Sequence, residues 1–394
     1  MAMAEDIFIV AARRTPIGAF QGALSGATAP QLGATAVRAA LADSRAQPDQ
    51  VDSVILGCVL PAGLGQAPAR QAALGAGLPQ SVPAMTLNKV CGSGMASAMF
   101  GCDAIRAGSA RIIIAGGFES MTNAPYLLPK ARAGYRMGHG EILDHMFYDG
   151  LQNPYDNQMM GHFADATARQ YQFSRADQDA YAAESVRRGQ AAVAGGAFRA
   201  EITPVTVKGR KGDQLVERDE PPGNCDVAKI PNLKPAFSKD GSVTAASSSS
   251  IADGAAALVL MSASAARAAG ATPLARVIAY AGHAQAPEWF TTAPAGAIRK
   301  VLAATGWNAA QVDLYEINEA FAVVTMAAMR DIGLTHAQVN INGGACALGH
   351  PIGATGARIL TTLVHALRAR GLRRGIASLC IGGGEATAMA IEAA

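Results

Sequence analysis

Residues 88–97 read NKVCGSGMAS, and this stretch predicts a turn from a strand into a helix with a cysteine at its centre. The β-favouring residues 84–87 precede it, and the small and apolar residues 95–106 that follow are compatible with a helix. Cys91 would therefore lie near a helix N-terminus, where unpaired backbone N–H groups and the helix dipole favour a thiolate. Because the thiolate is the nucleophile, the stretch predicts a reactive cysteine that neighbouring glycines leave open to substrate.

The cysteine alone does not establish this interpretation. A single cysteine is more often a small buried hydrophobic side chain than a nucleophile, and Gly-Ser-Gly is a weak signal. Cys91 becomes a candidate nucleophile because two other stretches with reactive side chains, around His350 and Cys380, lie far downstream in the chain.

Three downstream polar residues each have an ordinary and a functional interpretation. His350 lies between Gly349 and Pro351, so it is either a loop histidine or a base held on a tight turn. Cys380 ends an apolar run and is followed by three glycines, whose N–H groups would be good oxyanion donors, although buried strand cysteines are common. Asn318 stands at a predicted helix start, where helix capping is the default explanation.

The composition predicts a large core built from small aliphatic side chains. Of the 394 residues, 50% are hydrophobic, only 5% are aromatic and 43 are glycines, and this length corresponds to two domain-sized units. The net charge of +3 comes from scattered residues. This argues against nucleic acid as the main partner but leaves room for a local basic rim facing an anionic ligand.

The N-terminal segment, the apolar runs and the spacing of the cysteines predict a cytoplasmic protein with free thiols. Residues 1–14 do not read as a signal peptide, and no apolar run reaches the roughly 18 residues that a membrane span needs. The six cysteines lack zinc-site spacing, and without a secretory signal they indicate a reducing compartment. We therefore expect no metal site and no association with membranes or nucleic acid.

Apolar runs alternate with helix-compatible segments along most of the chain. Strands are predicted at 7–10, 54–56, 84–87, 111–115, 255–261, 275–281, 314–317 and 375–380. Helices are predicted at 29–43, 68–75, 95–106, 175–194, 262–269, 294–304, 356–369 and in the segment that runs from Asn318 to Met329. This alternation predicts an α/β fold of parallel βαβ units, with helices covering the faces of the sheet.

A long segment of different composition interrupts this pattern. From about Ser120 to about Ala246 the chain is richer in Pro, Tyr, Met, Asn and charged residues, and it includes a basic patch at 208–211. Such an insertion is more often a functional loop region than a linker. Its aromatic and Met content favours a segment that lines the substrate site over a surface loop without a function. The resulting division is an N-terminal half over 1–120, an inserted loop domain over 121–246, a return of the first half over 247–269 and a C-terminal half over 270–394.

An internal repeat relates the two halves. A glycine-rich turn at 91–94 is followed by a helix, a basic residue, an apolar strand and the sequence Gly-Gly-Phe-Glu. A second glycine-rich turn, at 349–353, is followed by a helix, a basic pair, an apolar strand and the sequence Gly-Gly-Glu. The repeat predicts a duplicated α/β unit whose equivalent turns face each other across a pseudo-two-fold axis, which would bring Cys91 and His350 together.

Together these stretches resemble the thiolases. The matching motifs follow the family's order along the whole chain: RTPIG at 14–18, NKVCGSG at 88–94, NEAFA at 318–322, GGA at 343–345, GHPIGA at 349–354 and CIGGG at 380–384. The resemblance is strongest to acetyl-CoA acetyltransferases and related 3-ketoacyl-CoA thiolases. It implies a duplicated five-layered α-β-α-β-α fold with an inserted loop domain, and a homotetramer, a dimer of dimers, assembled through residues 120–144.

The resemblance implies a reversible Claisen condensation of two acetyl-CoA to acetoacetyl-CoA and CoA, or thiolysis of a 3-ketoacyl-CoA, in fatty acid metabolism. Cys91 would carry the acyl group, His350 would take its proton, and Cys380 would be the base at the α-carbon or the acid toward the enolate. One thioester oxyanion would be held by His350 and a water on Asn318. The other would be held by the backbone N–H groups of Cys91 and Gly382. CoA would be a substrate or product, and no metal or redox cofactor would be needed.

The family pattern also implies the residues that bind CoA. Ser249 matches a serine that bonds the pantetheine, and Met160 matches a methionine beside the acyl pocket. Phe237 and Phe321 match the aromatic walls of the CoA site.

The chain departs from the family pattern near the acyl pocket and near the CoA adenine end. Met159 stands where many biosynthetic members have His, and Phe290 stands where Met is usual. Four serines occupy 247–250, and Pro-Pro-Gly-Asn at 221–224 replaces a segment that often carries a CoA-binding arginine. With Met160, the bulky Met159 and Phe290 predict a short pocket that prefers acetoacetyl-CoA, unless Phe290 rotates outward and lines a wider channel.

Two other functions share this kind of scaffold. A ketoacyl-synthase-type condensing enzyme has the duplicated fold but lacks a second catalytic cysteine, so Cys380 with its glycine run favours a thiolase. A non-catalytic acyl-CoA-binding or lipid-binding protein could lose Cys91, His350 or Cys380, but all three are present. The preferred direction, the acyl chain length, the pathway and the exact CoA contacts stay open at the level of sequence.

Overall fold

The computed structural model describes residues 5–210 and 212–394. The first four residues of the predicted N-terminal segment and Lys211 of the basic patch lie outside the described residues. The strands are β1 (Ile7–Arg14), β2 (Gly18–Ala19), β3 (Ser53–Gly57), β4 (Ala84–Leu87), β5 (Ile112–Ser120), β6 (Tyr126–Leu127), β7 (Leu143–Asp144), β8 (Val205–Val207), β9 (Gln214–Val216), β10 (Ala252–Ser262), β11 (Ala275–Ala284), β12 (Leu314–Ile317), β13 (Arg374–Ile381) and β14 (Glu385–Ala393).

The helices cover both halves of the chain and the segment between them. They are α1 (Ala29–Ser44), α2 (Pro68–Gly75), α3 (Ser93–Arg106), α4 (Met160–Gln170), α5 (Arg175–Gly195), α6 (Ala263–Ala269), α7 (Ala293–Thr305), α8 (Ala322–Ile332), α9 (Ala345–Leu348) and α10 (Thr355–Arg370). A π-helical turn spans Met146–Leu151, and short 3-10 turns span Pro48–Gln50, Pro221–Asn224, Val227–Asn232, Pro287–Thr292 and Ala309–Gln311.

Each strand and helix predicted from the sequence has a counterpart in the structure, and the structure adds others, among them α4 and β14. The nine residues of β14 include four alanines, which favour strands only weakly. Its conformation is decided instead by its neighbours, because it pairs with β13 on one side and with β11 on the other.

The strands form one mixed sheet rather than a parallel one. Ten strands pair in the order β12-β13-β14-β11-β1-β10-β5-β3-β4, with β2 on β10. Parallel pairs, as predicted, join β12 to β13 and join β3 to β4 and β5. The central pairs are antiparallel, so the prediction of parallel units is wrong there. One reason is that only residues 382–384 connect β13 to β14, whereas a parallel crossover needs about a dozen residues.

Among the described residues, the sheet joins the strands of the two halves only where residues 7–9 of β1 pair with β11, so these strands form two layers, and with the helices there are five. Helices α3 and α10 pack in one apolar cluster between the strands of the N-terminal half and those of the C-terminal half. Helices α1, α2 and α6 cover the outer face of the first half, and α7 and α8 cover the outer face of the second half. This order confirms the predicted duplicated α-β-α-β-α fold, while the division into four chain segments stays a prediction.

The two central helices touch through their backbones at their first turns. A Cβ added to Gly94 would lie 2.8 Å from the Ala357 nitrogen, and a Cβ added to Gly356 would lie 2.2 Å from the Met95 nitrogen. Both separations are below any real Cβ contact, so only glycine permits this approach. The contact brings the cysteine turn before α3 next to the histidine turn before α10.

The segment between β5 and β10 is the predicted insertion. It holds α4, α5, the π-helical turn and two small hairpins, β6 with β7 and β8 with β9. In its basic patch, Lys208 forms an ion pair with Asp213. The stretch predicted to mediate assembly exposes several large apolar side chains, namely Tyr126, Leu128, Tyr135, Met137 and Ile142.

Two further sequence expectations concern cysteines and membranes. All six cysteines have free thiols, as predicted. Among the residues that the structure describes, none of the helices combines the length and the apolar character required to cross a bilayer.

The contact between α3 and α10 yields a test of the fold. We expect Gly356→Ala to lower the free energy of unfolding by about 1–3 kcal/mol, because its methyl group forces the two helix starts apart. Gly195→Ala is the matched control: Gly195 also lies in a helix, but a Cβ there meets nothing within 4 Å. That change should leave stability unchanged or raise it by up to about 1 kcal/mol. Chemical denaturation of both variants measures this, and equal stabilities would contradict the proposed role of the contact.

Candidate active site

The turn before α3 is built by side chains of its own residues. Asn88 Oδ1 accepts a hydrogen bond from the Val90 nitrogen at 2.9 Å. Ser93 Oγ accepts from the Lys89 nitrogen at 2.8 Å and donates to the Val90 carbonyl at 2.6 Å. These bonds hold Val90 at φ 46°, a left-handed conformation that β-branched residues rarely adopt. The strained turn presents Cys91 just before the first turn of α3.

The surroundings of Cys91 keep its thiol protonated. Burial raises the pKa of Cys91 to about 11, and the negative charge of Glu119 acts in the same direction. The backbone N–H groups of Gly382 and of Cys91 itself lower the pKa, but their effect is smaller. The expectation that the helix start favours a thiolate is therefore wrong for the resting protein, because desolvation of the charged form dominates. Chemistry at this sulfur requires a base.

His350 lies between α9 and α10 with its ring almost fully buried. Its Nδ1 is 2.6 Å from the Thr355 hydroxyl, which donates its own proton to the Pro351 carbonyl at 2.9 Å. Because only lone pairs of that hydroxyl are left for the ring, this pattern assigns the proton to Nδ1 and leaves Nε2 unprotonated. Nε2 is buried and has no hydrogen-bond partner among the described residues.

The charge state of His350 suits it to accept a proton. Burial, reinforced by the positive charge of Arg358, lowers the pKa of His350 to about 3. The ring is therefore neutral at pH 7, and its free Nε2 lone pair can take a proton from a thiol.

Cys380 and Gly382 come from the end of β13, which contacts the cysteine turn. A Cβ added to Gly92 would lie 2.4 Å from Ile381 Cδ1, so the Ile381 side chain packs directly against the Gly92 backbone. Burial raises the pKa of Cys380 well above its ordinary value, and the nearby Cys91 adds to the shift. Cys380 is therefore a neutral thiol in the resting protein and can donate a proton.

Asn318 has unused hydrogen-bonding capacity inside the protein. Its side chain is 1% exposed, and neither its amide oxygen nor its amide nitrogen has a partner among the described residues. Helix capping does not explain this residue, because α8 begins only at Ala322 and Phe321 occupies the cap position. A buried amide of this kind can hold a water or a substrate oxygen.

The segment that carries Asn318 is anchored by the next residue. The Glu319 carboxylate is fully buried and accepts hydrogen bonds at 2.6–3.0 Å from four donors, which are the Tyr181 hydroxyl, the Ser185 hydroxyl, the Asn340 amide and the Cys346 nitrogen. Four hydrogen bonds to one buried side chain fix the backbone between β12 and α8, and with it the position of Asn318.

One small cavity brings most of the predicted site residues together. Its volume is about 50 Å³, and its lining includes Cys91, Met160, Ser249, Phe290, Phe321, His350, Cys380 and Gly382. Asn318 and Phe237 do not line it. The two halves of the chain therefore contribute the two thiols and the imidazole to the same cavity, as the internal repeat predicts for Cys91 and His350.

The cavity continues toward the surface. An adjoining pocket of about 180 Å³ shares Met160, Ser249, Phe321 and His350 with it, and adds Met159 and Phe237. An outer groove of about 580 Å³ shares Ser250 and Ile251 with that pocket and includes Phe20, Cys225 and Lys229. Together the three spaces form a route along the insertion to the reactive side chains.

Three residues at the site, Gly150, Leu151 and Thr355, were not predicted from the sequence. Gly150 and Leu151 line the cavity from the π-helical turn, a geometry that recurs at functional sites but has no sequence signature. Thr355 could have been found, because a hydroxyl side chain five residues after His350 lies within reach of its ring once a helix starts there.

Comparison with known proteins identifies the family. The models of the Thiolase N-terminal domain and the Thiolase C-terminal domain match residues 7–264 and 271–393. Acetyl-CoA acetyltransferase of Pseudomonas aeruginosa is 50% identical over 389 residues, which cover 98% of this chain and 99% of that protein. The protein of the same name from Escherichia coli is 49% identical over 390 residues, which cover 98% and 99%.

A solved structure agrees with these matches. The crystal structure of the Bacillus anthracis acetyl-CoA acetyltransferase has a TM-score of 0.97 to this chain at 41% identity, and the match covers 99% of both chains. The cysteine turn, the histidine turn and the second cysteine all fall inside the matched domains. The chain therefore belongs to the thiolase family and is an acyl-transferring enzyme.

Proposed function

We propose that this thiolase condenses two acetyl-CoA to acetoacetyl-CoA and CoA, and catalyses the reverse thiolysis, through an acyl-Cys91 intermediate. The observation that carries the proposal is the cavity in which the thiols of Cys91 and Cys380 meet the unprotonated Nε2 of His350. The acetyl group is supported by the names of relatives that are 46–50% identical over nearly the full chain. The presence of Cys380 in this cavity disfavours a ketoacyl-synthase-type reaction.

The first half-reaction is acyl transfer to Cys91. Nε2 of His350 takes the thiol proton, and the sulfur attacks the thioester carbonyl carbon. The carbonyl oxygen becomes an oxyanion that the backbone N–H groups of Cys91 and Gly382 stabilise. When the C–S bond to CoA breaks, the CoA sulfur leaves with the proton that His350 had taken. The high pKa of Cys91 supports this order, because little thiolate exists before His350 acts.

The second half-reaction forms or breaks a carbon–carbon bond. In condensation, Nε2 of His350 takes the thiol proton of Cys380, and the resulting thiolate takes a proton from the α-carbon of the second acetyl-CoA. The carbanion attacks the acyl carbon on Cys91, the C–S bond to Cys91 breaks, and the leaving sulfur recovers the proton from His350. While it carries this proton, Nε2–H of His350 donates a hydrogen bond to the enolate oxygen, and a water on Asn318 donates a second one. In thiolysis, the neutral thiol of Cys380 protonates the leaving enolate, a role that its raised pKa supports.

CoA binds along the route that leads to the cavity. The pantetheine chain lies in the pocket that Ser249, Met160, Phe237 and Phe321 line, with the adenine end in the outer groove. Lys229 offers a positive charge for the phosphates there, where the sequence lacks the usual arginine, and it would exchange its present ion pair with Asp226 for them. The steps above use thiol, imidazole and backbone groups and a water held by Asn318, so we propose that no metal or other cofactor takes part.

Phe290 sets the length of the acyl pocket. Its ring is 3% exposed, lines the cavity and packs edge-on against Phe163 with ring centroids 6.3 Å apart. This packing disfavours the alternative in which the ring rotates outward. Met160 lines the same cavity, whereas Met159 lies in the adjoining pocket, so Phe290 and Met160 supply the bulk that shortens the acyl site.

Assembly and location complete the proposal. The exposed apolar side chains at residues 126–142 support a homotetramer built as a dimer of dimers, since a surface of this kind is normally covered by a partner. Six free cysteines are consistent with a reducing, cytoplasmic location, and the reaction belongs to fatty acid metabolism.

The roles of the two thiols can be separated by mass spectrometry. Incubation with acetyl-CoA should add one acetyl group to the peptide that contains Cys91, and Cys91→Ala should abolish this label. Cys380→Ala should still acquire the label, because acylation does not use Cys380, but should lose acetoacetyl-CoA formation and thiolysis. Labelling of another cysteine in the parent protein would refute the assignment of the nucleophile.

The tautomer of His350 is tested at Thr355. Thr355→Val keeps the shape but removes the acceptor for Nδ1–H, so a fraction of the rings will carry the proton on Nε2. We expect kcat to fall roughly 10- to 100-fold with little change in KM, as for loss of one well-placed catalytic interaction. Thr355→Ser retains the hydroxyl and should stay within about threefold of the parent. Equal kcat for the Val variant and the parent would disprove the role of the hydroxyl.

The acyl pocket is tested with 3-ketoacyl-CoA substrates of four, six and eight carbons. We expect the parent to prefer C4 over C6 by at least roughly tenfold in kcat/KM, and Phe290→Ala to remove most of that preference. Phe290→Met is the graded control, with an intermediate result. Assays must run below the melting temperature of each variant, because removing a buried Phe costs about 3–5 kcal/mol of stability. A parent that cleaves C8 as well as C4 would show that the pocket is not short.

A further inference from the structure

Glu119 is a buried carboxylate to which the proposed reaction gives no role. It is the penultimate residue of β5, its side chain is 0% exposed, and its hydrogen-bond partners are all uncharged groups. An ionisable group without a cationic partner is expensive to bury, so its presence calls for a function.

The hydrogen bonds of Glu119 connect the two halves of the chain. Its Oε1 accepts from the Leu60 nitrogen at 3.1 Å, and its Oε2 accepts from the Val59 nitrogen at 2.9 Å. Both donors follow β3 in the N-terminal half. Oε2 also accepts from the Gly353 nitrogen at 2.9 Å, and Gly353 lies three residues after His350. One carboxylate therefore fastens the histidine turn to the N-terminal half.

The histidine turn packs directly on backbone at this point. A Cβ added to Gly117 of β5 would lie 2.0 Å from the Gly353 carbonyl oxygen. A Cβ added to Gly353 would lie 2.6 Å from Oε2 of Glu119. No flexible side chain separates the turn from β5, so its position depends on these backbone surfaces and on the carboxylate that bonds both sides.

We propose that Glu119 is a positioning residue for acyl transfer, whose carboxylate fixes the histidine turn so that Nε2 of His350 faces Cys91. This inference rests on the proposed function. Thr355 orients the ring within the turn, whereas Glu119 sets the position of the whole turn relative to the nucleophile. The carboxylate acts through backbone contacts and does not touch the substrate.

Glu119 also acts on Cys91 through its charge. Burial raises the pKa of Glu119 to about 7, while its backbone donors oppose that shift. In the ionised form it raises the pKa of Cys91. The titratable groups that face Cys91 are Glu119 from β5, His350 from its turn and Cys380 from β13. A substitution that removes the charge of Glu119 should therefore lower the pKa of Cys91. The same substitution should slow the reaction, because it loosens the histidine turn.

Glu119→Gln separates these effects. A glutamine has one acceptor oxygen and turns an NH₂ group toward backbone donors, so at least one of the three N–H bonds is lost. We expect kcat for acetoacetyl-CoA thiolysis to fall roughly 10- to 100-fold, because a misplacement of about 1 Å in a catalytic group has that effect, while KM stays within about twofold. The rate of Cys91 alkylation by iodoacetamide, followed against pH by peptide mass spectrometry, should give a lower pKa than in the parent.

Two further variants complete the experiment. Glu119→Asp keeps the charge but shortens the reach, so it should lose activity while the alkylation pKa stays close to that of the parent. Cys58→Ala removes only the thiol 3.5 Å from Oε1 and should keep kcat within about twofold of the parent, since a thiol is a weak donor. The melting temperature of each variant reports whether it folds.

The outcomes decide the proposal separately from the proposed function. If Glu119→Gln folds and keeps the kcat of the parent, the positioning role is overturned. It is also overturned if Glu119→Gln loses activity without a change in the alkylation pKa of Cys91 and Cys58→Ala loses as much activity. If the Gln variant does not fold, Glu119→Asp decides, and a kcat within twofold of the parent overturns the proposal. A parent without thiolysis activity refutes the proposed function, while the alkylation profile still tests the effect of Glu119 on Cys91.

Discussion

The backbone contact between the first turns of α3 and α10 is the constraint on which the site depends. Gly94 and Gly356 let the two helix starts approach more closely than any residue with a Cβ would permit. Because Cys91 precedes one helix and the histidine turn precedes the other, this contact holds Cys91 and His350 at the same cavity. The apolar cluster around both helices then holds them in place from either side.

Desolvation is the second determinant of the site. It keeps both thiols protonated and the imidazole neutral, so the resting cavity carries no charge on its three reactive side chains. The helix start and the backbone N–H groups near Cys91 act against this effect but do not overcome it. Such a site suits charge that develops during the proposed reaction better than charge present beforehand, because its backbone donors are already in place.

Most of the secondary structure could be predicted because its signals are local. The apolar runs at β1, β10 and β12 and the alanine-rich α1 follow from residue type and period alone. The strand β14 could not be predicted, since its alanines carry a weak preference and its pairing with β11 depends on residues more than a hundred positions away. The antiparallel centre of the sheet was missed for the same reason.

The sequence by itself determined the family motifs, the duplication that relates the two turns and the candidate reactive residues, because glycine, cysteine and histidine in those orders are local signals. Only the tertiary structure decided the protonation states of Cys91 and His350, because burial is a property of the whole assembly of side chains around a group. It alone also showed the contacts of Thr355 with His350 and of Glu119 with Gly353, on which the proposed positioning roles rest.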